Sequence, residues 1–174
     1  LCKQPKVPVV GLLLVHPQQE YKDRGRHRQA NEAVRRLIAA NEMAVVEIDT
    51  RLDENRNGLR SAREVESLIA RMDLVLTTRL HGMVLAIKNG VPALAVDAIA
   101  GGAKVTRQAE SIGWPVRLSV DSMSDRDLQS AYDHCLTKEA RETARRCAAV
   151  AGETLRSLRG EFLENLDLQT TKTP

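Results

Sequence analysis

The chain has 174 residues, a net charge of +3 and only one Phe, one Trp and two Tyr. That length suits a single domain around one core, while the small charge excess and the scarcity of rings argue against a nucleic-acid surface. No apolar run approaches the roughly 20 residues that span a bilayer, and Lys3, Pro5, Lys6 and Pro8 break any secretory-signal pattern near Leu1.

The apolar run Val7 to Val15 predicts a first strand covered on both faces. Ala30, Ala33, Val34, Leu37 and Ile38 then recur at helical spacing, with Asn41 closing the helix. Met43 to Ile48 predict a second strand ending at Asp49, and the polar, arginine-rich stretch 50–60 predicts a loop. Ser61 with Glu64 forms a capping box ahead of a helix through Val65, Leu68, Ile69 and Met72. Asp73 to Thr77 predict strand three.

A short helix follows over Thr78 to Gly90, stopped by Gly90 and followed by Pro92. Ala93 to Val96 predict strand four. Beyond the Gly101-Gly102 loop, a helix runs from Lys104 to Ile112 and ends at Gly113. Val116 to Val120 predict strand five, and Ser124 with Asp127 caps a helix reaching Leu136. The last helix carries Ala140, Ala144, Cys147, Ala151, Leu155, Leu158 and Phe162 in one narrow stripe suited to packing on a partner surface. Residues 1–166 are expected to form one domain, with 167–174 a flexible tail.

Strands alternating with helices predict a Rossmann-like, doubly wound parallel α/β sheet with right-handed crossovers. In such a sheet the carboxyl ends of all strands share one edge. His16, Asp49, Arg79, His81, Asp97 and Asp121 fall at or just beyond those ends, which locates a candidate site without identifying its reaction.

Arg79 either pairs bidentately with a carboxylate or phosphate, or forms a salt bridge to a neighbouring helix. His81 serves as general acid or contacts a leaving phosphate, or is a helix N-cap or a satisfied structural histidine. Lys104 lies at a helix start, where phosphate is well received, or is an ordinary surface lysine. His16 is a ligand contact or a loop residue. Arg24, Arg26, His27 and Arg28 are expected to form a solvated helix start, and Cys135 and Cys147 to pack in the core. Three cysteines without metal-ligand spacing fit a reducing compartment. No GxGxxG, P-loop, nucleophile elbow or zinc signature is present.

From Asp73 to Lys104 the chain resembles the polysaccharide pyruvyl transferase family. The resemblance rests on the strand Leu74-Val75-Leu76-Thr77-Thr78, then Arg79-Leu80-His81-Gly82, the helix Met83 to Lys88, Gly90-Val91-Pro92, the strand Ala93 to Val96, and Lys104. It implies one half, the C-terminal one, of a two-domain GT-B-like fold. The implied activity is transfer of pyruvate from phosphoenolpyruvate onto sugar hydroxyls as a ketal, with no further cofactor and no metal. Arg79 and His81 would be catalytic, and Arg79, Leu80, His81, Lys104 and His16 would bind substrate. The implied partners are phosphoenolpyruvate and a sugar or glycolipid acceptor in exopolysaccharide synthesis, handled in the cytoplasm or at the inner membrane face.

The sequence is about half the length that the family implies. A missing N-terminal domain or a second copy of the chain is the expected complement. The competing expectation is the nucleotide-sugar-binding half of a GT-B glycosyltransferase or sugar epimerase. Those sites grip ribose with a glutamate in the motif helix, and Met83 to Asn89 contain none.

Overall fold

The computed structural model describes residues 7–15, 23–53 and 57–170, with side chains described as far as residue 164. Its elements are β1 (Val9–Leu13), α1 (His27–Ala40), β2 (Ala44–Glu47), α2 (Ala62–Ile69), β3 (Leu74–Thr77), α3 (Leu80–Lys88), β4 (Ala93–Asp97), α4 (Lys104–Ser111), β5 (Arg117–Ser119), α5 (Asp125–Cys135) and α6 (Lys138–Thr170). The strands form one sheet of order β2-β1-β3-β4-β5, and every pairing is parallel. This is the α/β architecture expected from the alternation of apolar runs and amphipathic helices.

Burial follows position in that order. The inner strands β3 and β4 are buried throughout, in keeping with their near-continuous apolar sequences. The edge strand β2 leaves Ala44, Val45 and Glu47 exposed. Trp114 is almost fully enclosed, and its indole N–H donates to the carbonyls of Ala93 (2.8 Å) and Val116 (3.1 Å), so the ring's polar atom is satisfied inside the core.

Right-handed crossovers place α1 on one face of the sheet and α2, α3 and α4 on the other. The C-terminal helices then divide: α5 packs against α1, and α6 against α3. Arg36 grips Asp125 through Nε (3.1 Å) and Nη2 (2.8 Å), joining α1 to α5. Both expected capping boxes, Ser61 with Glu64 and Ser124 with Asp127, are formed. Gly90 ends α3 at φ +66°, where an added Cβ would also lie 2.8 Å from the Arg145 side chain.

The stripe on α6 divides in two. Ala140, Ala144 and Cys147 are buried, whereas Leu155, Leu158 and Phe162 are exposed, Leu155 by 67%. The helix continues through Thr170, and residues 171–174 lie outside the described residues. On α5, Cys135 is enclosed, and burial pushes its thiol pKa up to about 12. Among the described residues, no helix is long and apolar enough to cross a membrane.

Candidate functional site

The chain leaves β1 toward β2 on one side and β3 toward β4 on the other. The turns after these adjacent strands therefore diverge, and a crevice opens at their carboxyl ends. A cleft of about 220 Å³ lies there. Val15 lines it from beyond β1, Thr78, Arg79, Leu80 and His81 from the β3–α3 turn, and Asp97, Ala98 and Ile99 from the end of β4. Lys104 and Val105 from α4 and His27 from α1 complete the wall. The expected substrate residues Arg79, Leu80, His81 and Lys104 are thus brought together, while His16 lies outside the described residues.

Two threonines build the turn that carries Arg79 and His81. The Thr77 hydroxyl donates to the Leu13 carbonyl (2.9 Å) and accepts from the Arg79 N–H (2.9 Å). The Thr78 hydroxyl accepts from the Val15 N–H (2.8 Å) and donates to Asn31 Oδ1 (3.0 Å), while Asn31 Nδ2 donates back to the Val15 carbonyl (2.9 Å). These bonds tie the ends of β1 and β3 to α1. Gly82 is required by the same packing, since a Cβ there would lie 2.4 Å from Thr77 Oγ1.

Arg79 is the N-cap of α3 and gives no side-chain cap. Among the described residues, the backbone N–H groups of Leu80, His81 and Gly82 have no acceptor. Such donors, with the positive end of the helix dipole behind them, favour an anion. His81 is exposed beside them.

The Arg79 side chain is only 14% exposed and is held by Asp49, a carboxylate that the sequence places at the sheet edge with no partner assigned. Nη1 of Arg79 donates to Asp49 Oδ1 and to Thr50 Oγ1 (3.2 Å). Asp49 also accepts from Arg51, through the backbone N–H (2.9 Å), Nε (3.4 Å) and Nη2 (3.0 Å). Burial alone would raise the Asp49 pKa, but the hydrogen bonds from Arg51 and Arg79 outweigh it and hold the carboxyl well below the usual range. Nε and Nη2 of Arg79 have no acceptor among the described residues.

Asp97 has a different task. It is 1% exposed, and its Oδ2 accepts from the backbone N–H groups of Ala103 (2.8 Å) and Thr106 (3.0 Å) and from the Thr106 hydroxyl (2.7 Å). Oδ1 accepts from the Ile99 N–H (3.2 Å). The carboxylate thereby caps α4 from a distance, and Asp121 accepts from the Gly101 N–H (2.7 Å) in the same loop. The start of α4, read as a place to receive phosphate, has donors already engaged by the chain's own carboxylate. Lys104 stays exposed at its first residue.

His27 corrects the reading of residues 24–28 as one solvated cluster. It is 6% exposed, lines the cleft, and has its pKa lowered by burial. Arg24 holds the loop after β4 by donating from Nε (3.1 Å) and Nη2 (2.8 Å) to the Ala100 carbonyl. Arg26 and Arg28 stay exposed, as expected of a solvated helix start, and Arg28 pairs with Glu32 on the outer side of α1. The sequence by itself assigns no building role to Thr78 and no partner to Asp49, although it places Asp49 at the sheet edge. The available signal was their position, one at the end of each of two strands that flank β1.

Residues 14–98 match the polysaccharide pyruvyl transferase family. The matched segment runs from the end of β1 through β4 and takes in Asp49, Arg79, Leu80 and His81, with Lys104 just beyond it. No curated protein matches the chain. Among solved structures, it resembles CalG4, the calicheamicin glycosyltransferase, at 19% identity and a TM-score of 0.52, over 91% of this chain and 43% of that one. It also resembles the spinosyn forosaminyltransferase SpnP at 16% identity and a TM-score of 0.53, over 84% and 40%. The UDP-GlcNAc 2-epimerase of Methanocaldococcus jannaschii is similar at 14% identity and a TM-score of 0.52, over 84% and 46%. At such identities the likeness establishes the α/β fold shared with GT-B-type enzymes. The chain spans less than half the length of each of these structures. Among the described residues, no group of three or more His, Cys, Asp or Glu side chains is placed to hold a metal ion.

Proposed function

We propose that this domain binds phosphoenolpyruvate for transfer of pyruvate to a sugar of an exopolysaccharide or cell-surface glycan. The observation that carries the reading is the joint presentation of Arg79 and His81 at the uncapped start of α3, inside the segment that matches the family. In ketal formation two sugar hydroxyls add at the enol carbon and phosphate leaves. One hydroxyl proton ends on the methylene carbon, which becomes a methyl group, and the other departs with phosphate. That chemistry asks for an anion seat and a proton carrier side by side. Arg79 and the first N–H groups of α3 form the seat, and His81 is the carrier. Lys104 adds positive charge from the far wall of the cleft.

The cleft is smaller than the roughly 300–1,000 Å³ of complete small-molecule sites, which fits one wall of a larger crevice. The acceptor side is supplied by an N-terminal domain or by a second copy of the chain. A second reading, a nucleotide-sugar-binding half, is favoured by the likeness to glycosyltransferases and to an epimerase solved with UDP-GlcNAc and UDP. Amide NMR separates the two. Millimolar phosphoenolpyruvate is expected to shift Leu80, His81 and Gly82, and UDP to leave them in place; the reverse pattern overturns the proposal.

A further inference from the structure

Among the described residues, Arg36 and Arg51 each fill the Nε/Nη2 edge of the guanidinium with a carboxylate, and Arg79 does not. Arg36 holds Asp125 through Nε and Nη2, and Arg51 holds Asp49 through Nε and Nη2. That pair of parallel N–H groups is the fork that matches a carboxylate or phosphate bidentately. Arg79 differs: only its Nη1 is engaged, by Asp49 and Thr50, and its Nε and Nη2 have no acceptor among the described residues. The side chain as a whole is nonetheless largely buried.

We infer that Asp49 is a positioning residue for the proposed donor site, clamping Arg79 at Nη1 so that its Nε/Nη2 fork stays open for an incoming anionic group. Asp49 is itself fixed, because Arg51 grips it by a backbone N–H and a two-point side-chain contact two residues along the chain. A clamp of this kind removes rotamer freedom from a long side chain before the ligand arrives, a cost that binding would otherwise bear. Thr50 adds a second contact to the same nitrogen. The inference rests on the proposed donor-binding reading and assigns a role to a residue on β2's exit that touches no substrate.

The sign of one substitution separates positioning from plain charge. Asp49→Asn keeps the side chain's shape and removes a negative charge beside an anion site, so electrostatics alone would tighten anion binding. Positioning calls for the opposite. Dissociation constants for phosphoenolpyruvate, inorganic phosphate and pyruvate should be measured by amide NMR titration on the whole chain, for the wild type, Asp49→Asn and Asp49→Glu. The expected result is that Asp49→Asn binds the ligands about tenfold more weakly, the scale at which loss of an orienting partner is felt, with partial recovery in Asp49→Glu. Pyruvate and phosphate serve to assign the fork to the carboxylate or to the phosphoryl group, the tighter ligand being the one most weakened in Asp49→Asn. If the wild type binds and Asp49→Asn binds equally or more tightly, the inference fails and the donor-site reading stands. If the wild type binds none of the three, the reading falls first and the inference with it. Should Asp49→Asn unfold, Arg51→Ala, which leaves the Asp49–Arg79 contact but loosens its anchor, is expected to weaken binding severalfold, and unchanged affinity there overturns the inference.

Discussion

Two helices begin at the rim of the same cleft and use their first-turn donors in opposite ways. At α4 the buried carboxylate of Asp97 accepts from Ala103 and Thr106, so the positive end of that helix is neutralised from within. At α3 the capping position is held by a cation, Arg79, and the N–H groups behind it have no acceptor among the described residues. A cation at that end is unfavourable for the helix taken alone. The short, enclosed segment tolerates it because Thr77, Gly82 and the packing of Met83, Ala86 and Ile87 fix it in place. One helix start is closed by the fold's own carboxylate, and the other leaves its donors open among the described residues.

The largest expected effect breaks the open end. Arg79→Ala should weaken phosphoenolpyruvate binding about a hundredfold, as befits two charge-assisted hydrogen bonds, with little change in melting temperature; calorimetric titration beside a thermal scan checks both. Next comes the closed end. Asp97→Ala should lower unfolding free energy by about 1–3 kcal/mol by stranding buried donors, and hydrogen exchange should quicken first in Ala103 to Thr106. If α4 stays protected, the contrast between the two ends is wrong.

A smaller effect is expected at Lys104, which is exposed and contributes charge more than geometry. Lys104→Ala should weaken anion binding only about two- to fivefold, and a loss matching that of Arg79→Ala would move the site to α4. The smallest effect concerns acid. The Asp49 carboxyl titrates well below its ordinary value, so its contribution to stability is full above about pH 4, where the unfolded carboxyl ionises, and is lost as pH falls toward the depressed folded value. Urea unfolding of the wild type and Asp49→Asn should therefore differ most near neutral pH and converge in acid.

Much of this was legible in the chain itself. Apolar runs bounded by Gly, Pro and capping boxes located every strand and helix, because those signals act within a few residues. Arg79 and His81 stood out for the same reason, two polar residues at a strand-to-helix junction. What escaped was pairing between elements. Asp49 meets Arg79 from 30 residues away only because β2 and β3 both flank β1, and strand order is not written in either strand. Asp97 was a weaker candidate that could equally well cap a loop or the following helix, and only the path of Gly101-Gly102 shows that it does. His27 sat among arginines that are exposed, yet the inward turn of α1's first residue enclosed it.

Cys135 has a practical consequence of its own. Alkylating reagents attack the thiolate, and in the folded molecule this sulfur is both shut away from solvent and held in its protonated form. A brief pulse of iodoacetamide, read by mass on the peptide that contains it, therefore tags only chains whose α5 has come off the sheet, giving each variant a built-in gauge of opening.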